Sequence, residues 1–202
     1  MMRSKNHLLL SGAIITFFKL TFILAFISLL FLEGCSKYSA EVQANLTKLK
    51  TTKSCPGCDL SGIELISFDL KGADLSGSNL TGANLRRSDL SGANLTDTNL
   101  TDADLLGVNL TGATLTNTNL SGVKLSYSNI KGAVISGAVL KDARINSSKI
   151  VNSKIRNSDM TDANLYNADL TSTKVSEETL KDAVLCKSVM PSGQQDDSGC
   201  KR

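Results

Sequence analysis

Residues 73–85 read ADLSGSNLTGANL and place leucine at positions 75, 80 and 85. The same five-residue spacing holds without a gap at 26 positions from Leu60 to Leu185, occupied by nineteen Leu, five Ile, one Val and one Met. An α-helix repeats about every 3.6 residues and a strand about every 2, so neither periodicity explains the pattern. A short period sustained over such a length predicts a solenoid.

A column of small residues accompanies the aliphatic column. The position two residues before each aliphatic residue is Ala in eleven units and Ser or Thr in nine. We expect one large and one small side chain per unit to point inward and stack on their equivalents in the next coil. The other three positions are mostly polar or glycine and would face water. Gly recurs two residues after the aliphatic position in ten units, where the chain must turn and glycine tolerates the backbone angles required.

Several units resemble the Ala-(Asp/Asn)-Leu-x-x motif of the pentapeptide-repeat family. They include Ala73-Asp74-Leu75, Ala83-Asn84-Leu85, Ala93-Asn94-Leu95 and Ala163-Asn164-Leu165, and the match extends over about 58–185. The resemblance implies an all-β solenoid, a right-handed quadrilateral β-helix in which four pentapeptides close one square coil. Units centred on residues 60 to 175 would then form about six coils.

The sequence divides into four predicted segments. They are a signal peptide at 1–34 with a lipobox at 32–35, a linker and N-terminal capping helix at 35–54, the β-helix at 55–175, and a C-terminal capping helix with a disulfide-prone tail at 176–202. The helices would cover the open ends of the β-helix, which otherwise expose unpaired backbone and apolar core.

The repeat period continues to Leu185, but we expect the β-helix to end at 175. Glu178 occupies a slot that should face inward, where an unpaired carboxylate costs on the order of several kcal/mol. Ser176 would instead cap a short helix with acidic residues in its first turn. At the other end, Ser39 would cap a helix whose Val42, Leu46 and Leu49 share one face.

The first 34 residues have the organisation of an export signal. A basic start precedes a mostly apolar core at 20–32, which is shorter than the roughly 20 residues that span a bilayer. Leu32-Glu33-Gly34-Cys35 then resembles a bacterial lipobox, which implies that Cys35 is acylated and anchors the mature protein in the membrane. The alternative is an uncleaved anchor over 8–32, which would bury Lys19. Both predict a cell-envelope protein that faces the periplasm or the exterior.

Charge indicates a candidate interaction surface. Removal of 1–34 takes away three bases and one acid, so the net charge falls from +3 to about +1; this balance gives no reason to expect nucleic acid as a partner. Between 124 and 157, seven bases accompany one acid, Asp142. This basic collar consists of Lys124, Lys131, Lys141, Arg144, Lys149, Lys154 and Arg156. It is either a solvated surface or a contact for an unknown protein or another anionic surface.

Outward apolar residues are further candidate contacts. They are Leu106, Tyr127, Val134, Val139, Val151 and Tyr166. Scattered exposed apolar residues are normal in soluble proteins, so the alternative is that they have no role.

Four cysteines remain besides Cys35. Cys55 and Cys58 form a CxxC pair without the βαβ setting of a redox site, which favours core packing or a structural disulfide over catalysis. Cys186 and Cys200 could close a loop near the other end of the array. The two pairs are too far apart to share a zinc ion, so we expect no metal. The segments around both pairs are similar to end segments of other pentapeptide-repeat proteins, which implies structural roles.

The residues indicate a binding protein rather than an enzyme. The single histidine, His7, lies in the signal peptide, so the mature chain has no imidazole for acid–base catalysis. We expect no cofactor, and a monomeric, non-catalytic envelope scaffold that mediates interaction. The alternative is a DNA-mimicking resistance protein that binds topoisomerases, as some relatives of the repeat family do. That activity needs a strongly acidic surface, whereas 58–185 contains 15 acids and 12 bases.

Overall fold

The computed structural model describes residues 37–200. In chain order the elements are helix α1 (Ala40–Thr52), strands β1 (Thr114–Thr116), β2 (Val134–Ser136) and β3 (Lys154–Arg156), helix α2 (Glu177–Leu180), and strands β4 (Ser188–Val189) and β5 (Gln195–Asp196). The chain divides into two compact units, Met1–Ala40 and Glu41–Arg202, and the repeats lie in the second. Within 37–200 no helix is long and apolar enough to cross a bilayer. The signal peptide and Cys35 lie outside the described residues.

Parallel pairing between residues 20 apart builds the coils. Strands β1, β2 and β3 pair in this register, with Leu115 opposite Ile135 and Ile135 opposite Ile155. Single parallel bridges with the same offset continue the ladder in both directions. Because each unit has five residues, an offset of 20 means that four units close one coil. This is the four-sided β-helix that the repeat predicts.

The bridges define four faces. Face 1 runs through Ser54, Asp74, Asn94, Thr114, Val134, Lys154 and Lys174; face 2 through Asp59, Asn79, Asn99, Asn119, Val139 and Asp159; face 3 through Glu64, Asn84, Asp104, Lys124, Arg144, Asn164 and Val184; and face 4 through Asp69, Asp89, Asn109, Asn129, Lys149, Asp169 and Val189. The corner between two successive faces is an edge, named here by the faces that it joins.

One unit shows why the motif has its composition. The five amide groups of 73–77 donate as follows: Ala73 to the Leu70 carbonyl (2.9 Å), Asp74 to Lys53 (2.9 Å), Leu75 to Asn94 (2.9 Å), Ser76 to Oδ1 of Asp74 (3.2 Å), and Gly77 to Thr96 (2.8 Å). Three of these bonds join neighbouring coils and one closes the corner. The Asp or Asn before the leucine satisfies the remaining amide, as buried or tightly turned backbone requires.

The interior is dry and closely packed. The aliphatic column from Leu60 to Leu170 is at most 3% exposed, and the Ala positions of the second column are buried beside it. Burial of each leucine stabilises the fold by roughly 1.5–3 kcal/mol. The stack from Leu110 to Met160 encloses a void of about 10 Å³, close to the minimum that holds one water.

Inward serine and threonine residues satisfy their hydroxyl groups on the preceding coil. Thr98 donates to the Leu75 carbonyl at 2.8 Å, and Thr118 donates to the Leu95 carbonyl at 2.7 Å. No buried side-chain nitrogen or oxygen of the described residues lacks a hydrogen-bond partner. Hydroxyl groups therefore replace alanine methyl groups in this column without an unsatisfied donor.

The prediction that the β-helix ends at 175 is wrong on faces 3 and 4. The Leu165 amide donates to the Val184 carbonyl at 2.9 Å, and Leu170 donates to Val189 at 2.8 Å. Only face 2 departs, because α2 lies where its next strand would be. Glu178 is exposed, in agreement with its unsuitability for the core. One unsuitable residue diverts one side of the coil, since each side bonds separately to the coil before it.

Helix α1 has Val42 and Leu49 buried, while Leu46 is only half-buried. Its Asn45 Nδ2 donates to the Asp59 carbonyl at 3.0 Å, which fixes the helix against the first coil. Helix α2 begins after Ser176, whose side chain accepts from the Thr179 amide. This is the capping interaction that the sequence indicates.

Replacement of Leu110 by alanine should lower the free energy of unfolding by about 2–5 kcal/mol, because Leu110 is fully buried at mid-array and a cavity would remain. Urea denaturation followed by circular dichroism measures the loss. Val139→Ala, at an outward and 37% exposed position, is the control and should change the value by no more than about 0.5 kcal/mol. Equal losses in both variants would refute the inward assignment of the leucine column.

Candidate interaction surface

Two disulfides lie near the ends of the repeat array. Cys55 bonds to Cys58, and Cys186 bonds to Cys200, so both pairings considered from the sequence are present. Cys55, Cys58 and Cys186 are buried. The second bridge holds the tail against the last coil, where a Cβ on Gly199 would lie 2.9 Å from the Leu185 amide nitrogen. Glycine is therefore required for the tail to approach this closely.

The carboxylates of the repeat serve the backbone. Oδ1 of Asp74 accepts from the Ser76 hydroxyl (2.8 Å) and the Ser76 amide (3.2 Å), and Asn94 Nδ2 adds a third bond at 3.2 Å. These bonds, the hydroxyl first, lower the pKa of Asp74. The pKa of Asp89 is lowered in the same way by Ser91, and that of Asp59 by the Ser61 amide. No group of three or more potential metal ligands occurs within 37–200.

The structure disperses the basic collar over the faces and edges. Lys124 and Arg144 are adjacent on face 3, Lys149 is on face 4 and Lys154 on face 1; Lys141 lies on edge 2/3, Lys131 on edge 4/1, and Arg156 on edge 1/2. Within the described chain none of the seven forms an ion pair. The collar is therefore a ring of separated charges, and only Lys124, Arg144 and Lys149 flank a common edge.

That common edge, edge 3/4, also contains exposed apolar side chains. Tyr127 is 67% exposed and Tyr166 is 40% exposed. Leu106, in the same corner, is half-buried, as are Val134 and Val151 elsewhere. Sequence reasoning missed Ile66, which is 53% exposed on edge 3/4, and Val184, which is 38% exposed on face 3. The five-residue register identifies Ile66 as outward, but Val184 lay in the region assigned to a cap.

The comparisons with known proteins identify the family. The family model described as pentapeptide repeats matches residues 58–97, 88–126 and 103–142, with eight copies. The crystal structure of the pentapeptide repeat protein Rfr23 from the cyanobacterium Cyanothece 51142 is 30% identical; the match covers 57% of this chain and 97% of that chain, with a TM-score of 0.28. The chain belongs to the pentapeptide-repeat family. Proteins of this family form right-handed quadrilateral β-helices, which confirms the predicted fold class.

Two further solved structures are similar to this pentapeptide-repeat protein. HetL, involved in heterocyst differentiation regulation in the cyanobacterium Nostoc sp. strain PCC 7120, is 19% identical, with 80% of this chain and 100% of that chain covered and a TM-score of 0.35. QnrB1, a plasmid-mediated fluoroquinolone resistance protein, is 18% identical, with 72% and 82% covered and a TM-score of 0.34. No curated protein matches the chain.

Loss of the Cys186–Cys200 bridge should destabilise the protein. The bridge spans a sequence separation of 14, and closing such a loop contributes about 3 kcal/mol in the chain-entropy model. We expect Cys186→Ser/Cys200→Ser to lower the free energy of unfolding by this order, measured by urea denaturation, and a reductant to add little further loss in that region. Four free thiols among Cys55, Cys58, Cys186 and Cys200 in the unreduced protein would contradict both bridges.

Stability should fall in acid. Asp59, Asp74 and Asp89 have a lowered pKa in the folded chain, so their contribution is complete above the unfolded pKa of about 3.9 and is lost as pH falls through the lower folded value. The melting temperature should therefore decrease between about pH 5 and pH 2. Asp59→Asn/Asp74→Asn/Asp89→Asn keeps each Oδ1 acceptor and should weaken this dependence. An unchanged pH profile in the triple variant would contradict the linkage.

Proposed function

We propose that the protein is a non-catalytic scaffold, displayed at the cell envelope, whose outer surface mediates interaction with another protein. The observation that carries this proposal is the division between a closed interior and a regular exterior. The void of about 10 Å³ in the leucine stack offers no room for a substrate. The hydrogen bonds between coils hold the outward side chains at fixed spacings, which suits a surface for recognition.

Anchoring in the membrane is proposed from the sequence of the export segment. Leu32-Glu33-Gly34-Cys35 supplies a cysteine for acylation after a short apolar core. Two disulfides in a chain of 202 residues suit an oxidising compartment outside the cytoplasm. Multiple acyl chains would make the association with the membrane stable. The proposal places the repeats on the periplasmic or exterior side.

The envelope role is proposed ahead of the topoisomerase-binding alternative on charge. A mimic of duplex DNA needs a dense negative surface, whereas the bases of face 3 and face 4 interrupt the acidic columns at Lys124, Arg144 and Lys149. The pairing Lys124 with Arg144 places two cations on adjacent coils, where a DNA mimic would carry acids. This surface favours a partner with negative charge.

The anchoring proposal is tested at Cys35. Expressed in a bacterial host, the wild-type chain should sediment with membranes and carry the added mass of acyl groups, and Cys35→Ser should lose both properties. Ser36→Ala is the matched control and should behave as the wild type. Membrane association and mass that are unchanged in Cys35→Ser would overturn lipid anchoring.

A further inference from the structure

The second residue of each corner has a left-handed backbone conformation, and three of the edges fill it only with residues suited to such turns. On edge 1/2 these residues are Gly57, Gly77, Asp97, Asn117, Gly137 and Asn157; on edge 2/3, Gly62, Gly82, Asp102, Gly122, Asp142 and Asp162; and on edge 4/1, Gly72, Gly92, Gly112, Gly132, Asn152 and Ser172. Gly, Asn and Asp tolerate positive φ better than other residues, because larger side chains crowd the backbone there.

Edge 3/4 departs from this rule. Its corner residues are Ser67, Arg87, Gly107, Tyr127, Ser147, Asn167 and Lys187, and the φ values of Arg87, Tyr127 and Lys187 are 57°, 59° and 58°. Three large side chains therefore occupy an unfavourable backbone conformation on one edge alone. Tyr127 is 67% exposed, so packing within the chain does not compensate for this conformation. An external role does explain why a tyrosine stands there.

Apolar side chains accompany these residues in the preceding corner column. Ile66, Leu106 and Tyr166 occupy it. Among the described residues, the exposed large apolar side chains are Ile66, Tyr127, Val139, Tyr166 and Val184. Three of them lie on edge 3/4, and Val184 lies on the adjoining face 3. Exposed apolar side chains that share one edge, rather than being scattered singly, indicate a contact surface.

Cations surround the two tyrosines. Lys187 Nζ lies over the Tyr166 ring, 5.7 Å from its centroid. Lys124 and Arg144 lie beside the edge on face 3, and Lys149 lies beside it on face 4. Neither corner column of edge 3/4 contains an acid. We call this group, Lys124, Tyr127, Arg144, Lys149, Tyr166 and Lys187, the tyrosine edge.

The acids that face the tyrosine edge are few. Asp169 pairs with Lys149 in the face 4 ladder, but its Oδ1 accepts from the Thr171 amide and hydroxyl at 2.9 and 2.6 Å. On face 3 the nearest acid in the column is Asp104, which forms an ion pair with Arg86 at 3.3 Å. The cations of the edge therefore have no carboxylate partner within 4 Å in the described chain.

The cations also replace residues that the repeat uses structurally. Asn109 accepts from the amide and hydroxyl of Thr111 at 3.1 and 2.6 Å, and Lys149, two coils later in the same column, has no acceptor for such a bond. Lys124 and Arg144 interrupt the column of face 3 in the same way. The chain thus gives up local hydrogen bonds where it gains positive charge, which favours a role beyond the fold.

We propose that the tyrosine edge binds an acidic segment of a partner protein. Apolar side chains of the segment would contact Tyr127 and Tyr166, and its carboxylates would pair with Lys124, Arg144 and Lys149. Tyrosine and arginine are the residues that contribute most often to protein contacts. Two coils separate the tyrosines, roughly 10 Å, so about three residues of an extended segment span them. This inference rests on the proposed scaffold function and assigns its binding surface.

A defined probe tests the proposal. The full chain, solubilised in a nonionic detergent, is titrated with a labelled random copolymer of glutamate and tyrosine, with polyglutamate of the same length and with dextran sulfate. We expect the copolymer to bind the most tightly, because it alone offers carboxylates and aromatic rings together. Dextran sulfate bound as tightly as the copolymer would show a general anion surface and would overturn the proposal.

The variants copy residues that the same columns already contain. Tyr127→Gly reproduces Gly107, and Tyr166→Asn reproduces Asn146. Together they should weaken binding of the copolymer by about tenfold and leave binding of polyglutamate unchanged. The melting temperature of Tyr127→Gly should stay the same or rise, because glycine relieves the left-handed position. A lower melting temperature would make Tyr127 a structural residue and would overturn the proposal.

Two triple variants remove equal charge from different places. Lys124→Asn/Arg144→Asn/Lys149→Asn acts on the tyrosine edge, and Lys131→Thr/Lys154→Asn/Arg156→Thr acts away from it. The first should weaken binding of the copolymer by about tenfold and the second by less than about twofold, since only the first removes cations beside the tyrosines. Equal losses would overturn the proposal. The membrane fraction of each variant is measured in parallel: weak binding with normal anchoring refutes the tyrosine edge alone, whereas a soluble wild-type chain refutes the proposed envelope function.

Discussion

The backbone bonds between residues 20 apart are the constraint on which the rest of the structure depends. Each coil can donate and accept only when the next coil lies in register, as in the bond of 2.8 Å from the Leu95 amide to the Thr114 carbonyl. A slip of one residue would move every leucine out of the core and every polar residue into it. The hydrogen bonds and the hydrophobic column therefore specify the same register, and either would fail without the other.

The sequence predicts the interior well because the interior repeats. A leucine every fifth residue and an alanine two residues earlier suffice to identify the core of a four-sided coil, and both columns are buried. The polar requirement was visible but not understood from the residues alone. Asp74 and its equivalents are needed for the amide two residues later, and inward threonines such as Thr98 need the carbonyl 23 residues before them. Such bonds depend on the coil geometry.

The end of the array and the candidate surface were harder to predict for a different reason. Glu178 indicates correctly that one strand cannot continue, but a sequence read in one dimension treats this as the end of the whole coil, whereas Val184 and Val189 still pair with Asn164 and Asp169. The basic collar is misleading in the same way. Lys149 and Lys154 are neighbours by number and lie on different faces, whereas Lys124 and Arg144 are 20 apart and adjacent.

A repeat protein of this kind separates the residues that fold it from those available for recognition. The inward columns and the Asp or Asn before each leucine are committed to the fold, because the core and the backbone amides require them. Freedom remains chiefly at the corners, where a side chain contributes little to stability and glycine is the least strained choice. A large residue at a left-handed corner therefore opposes the local preference of the chain. Arg87, Tyr127 and Lys187 do so on one edge, and selection for the fold alone would have no reason to align them. Such departures from the repeat are more informative about function than the repeat itself, since the repeat is explained by physics that every member of the family shares.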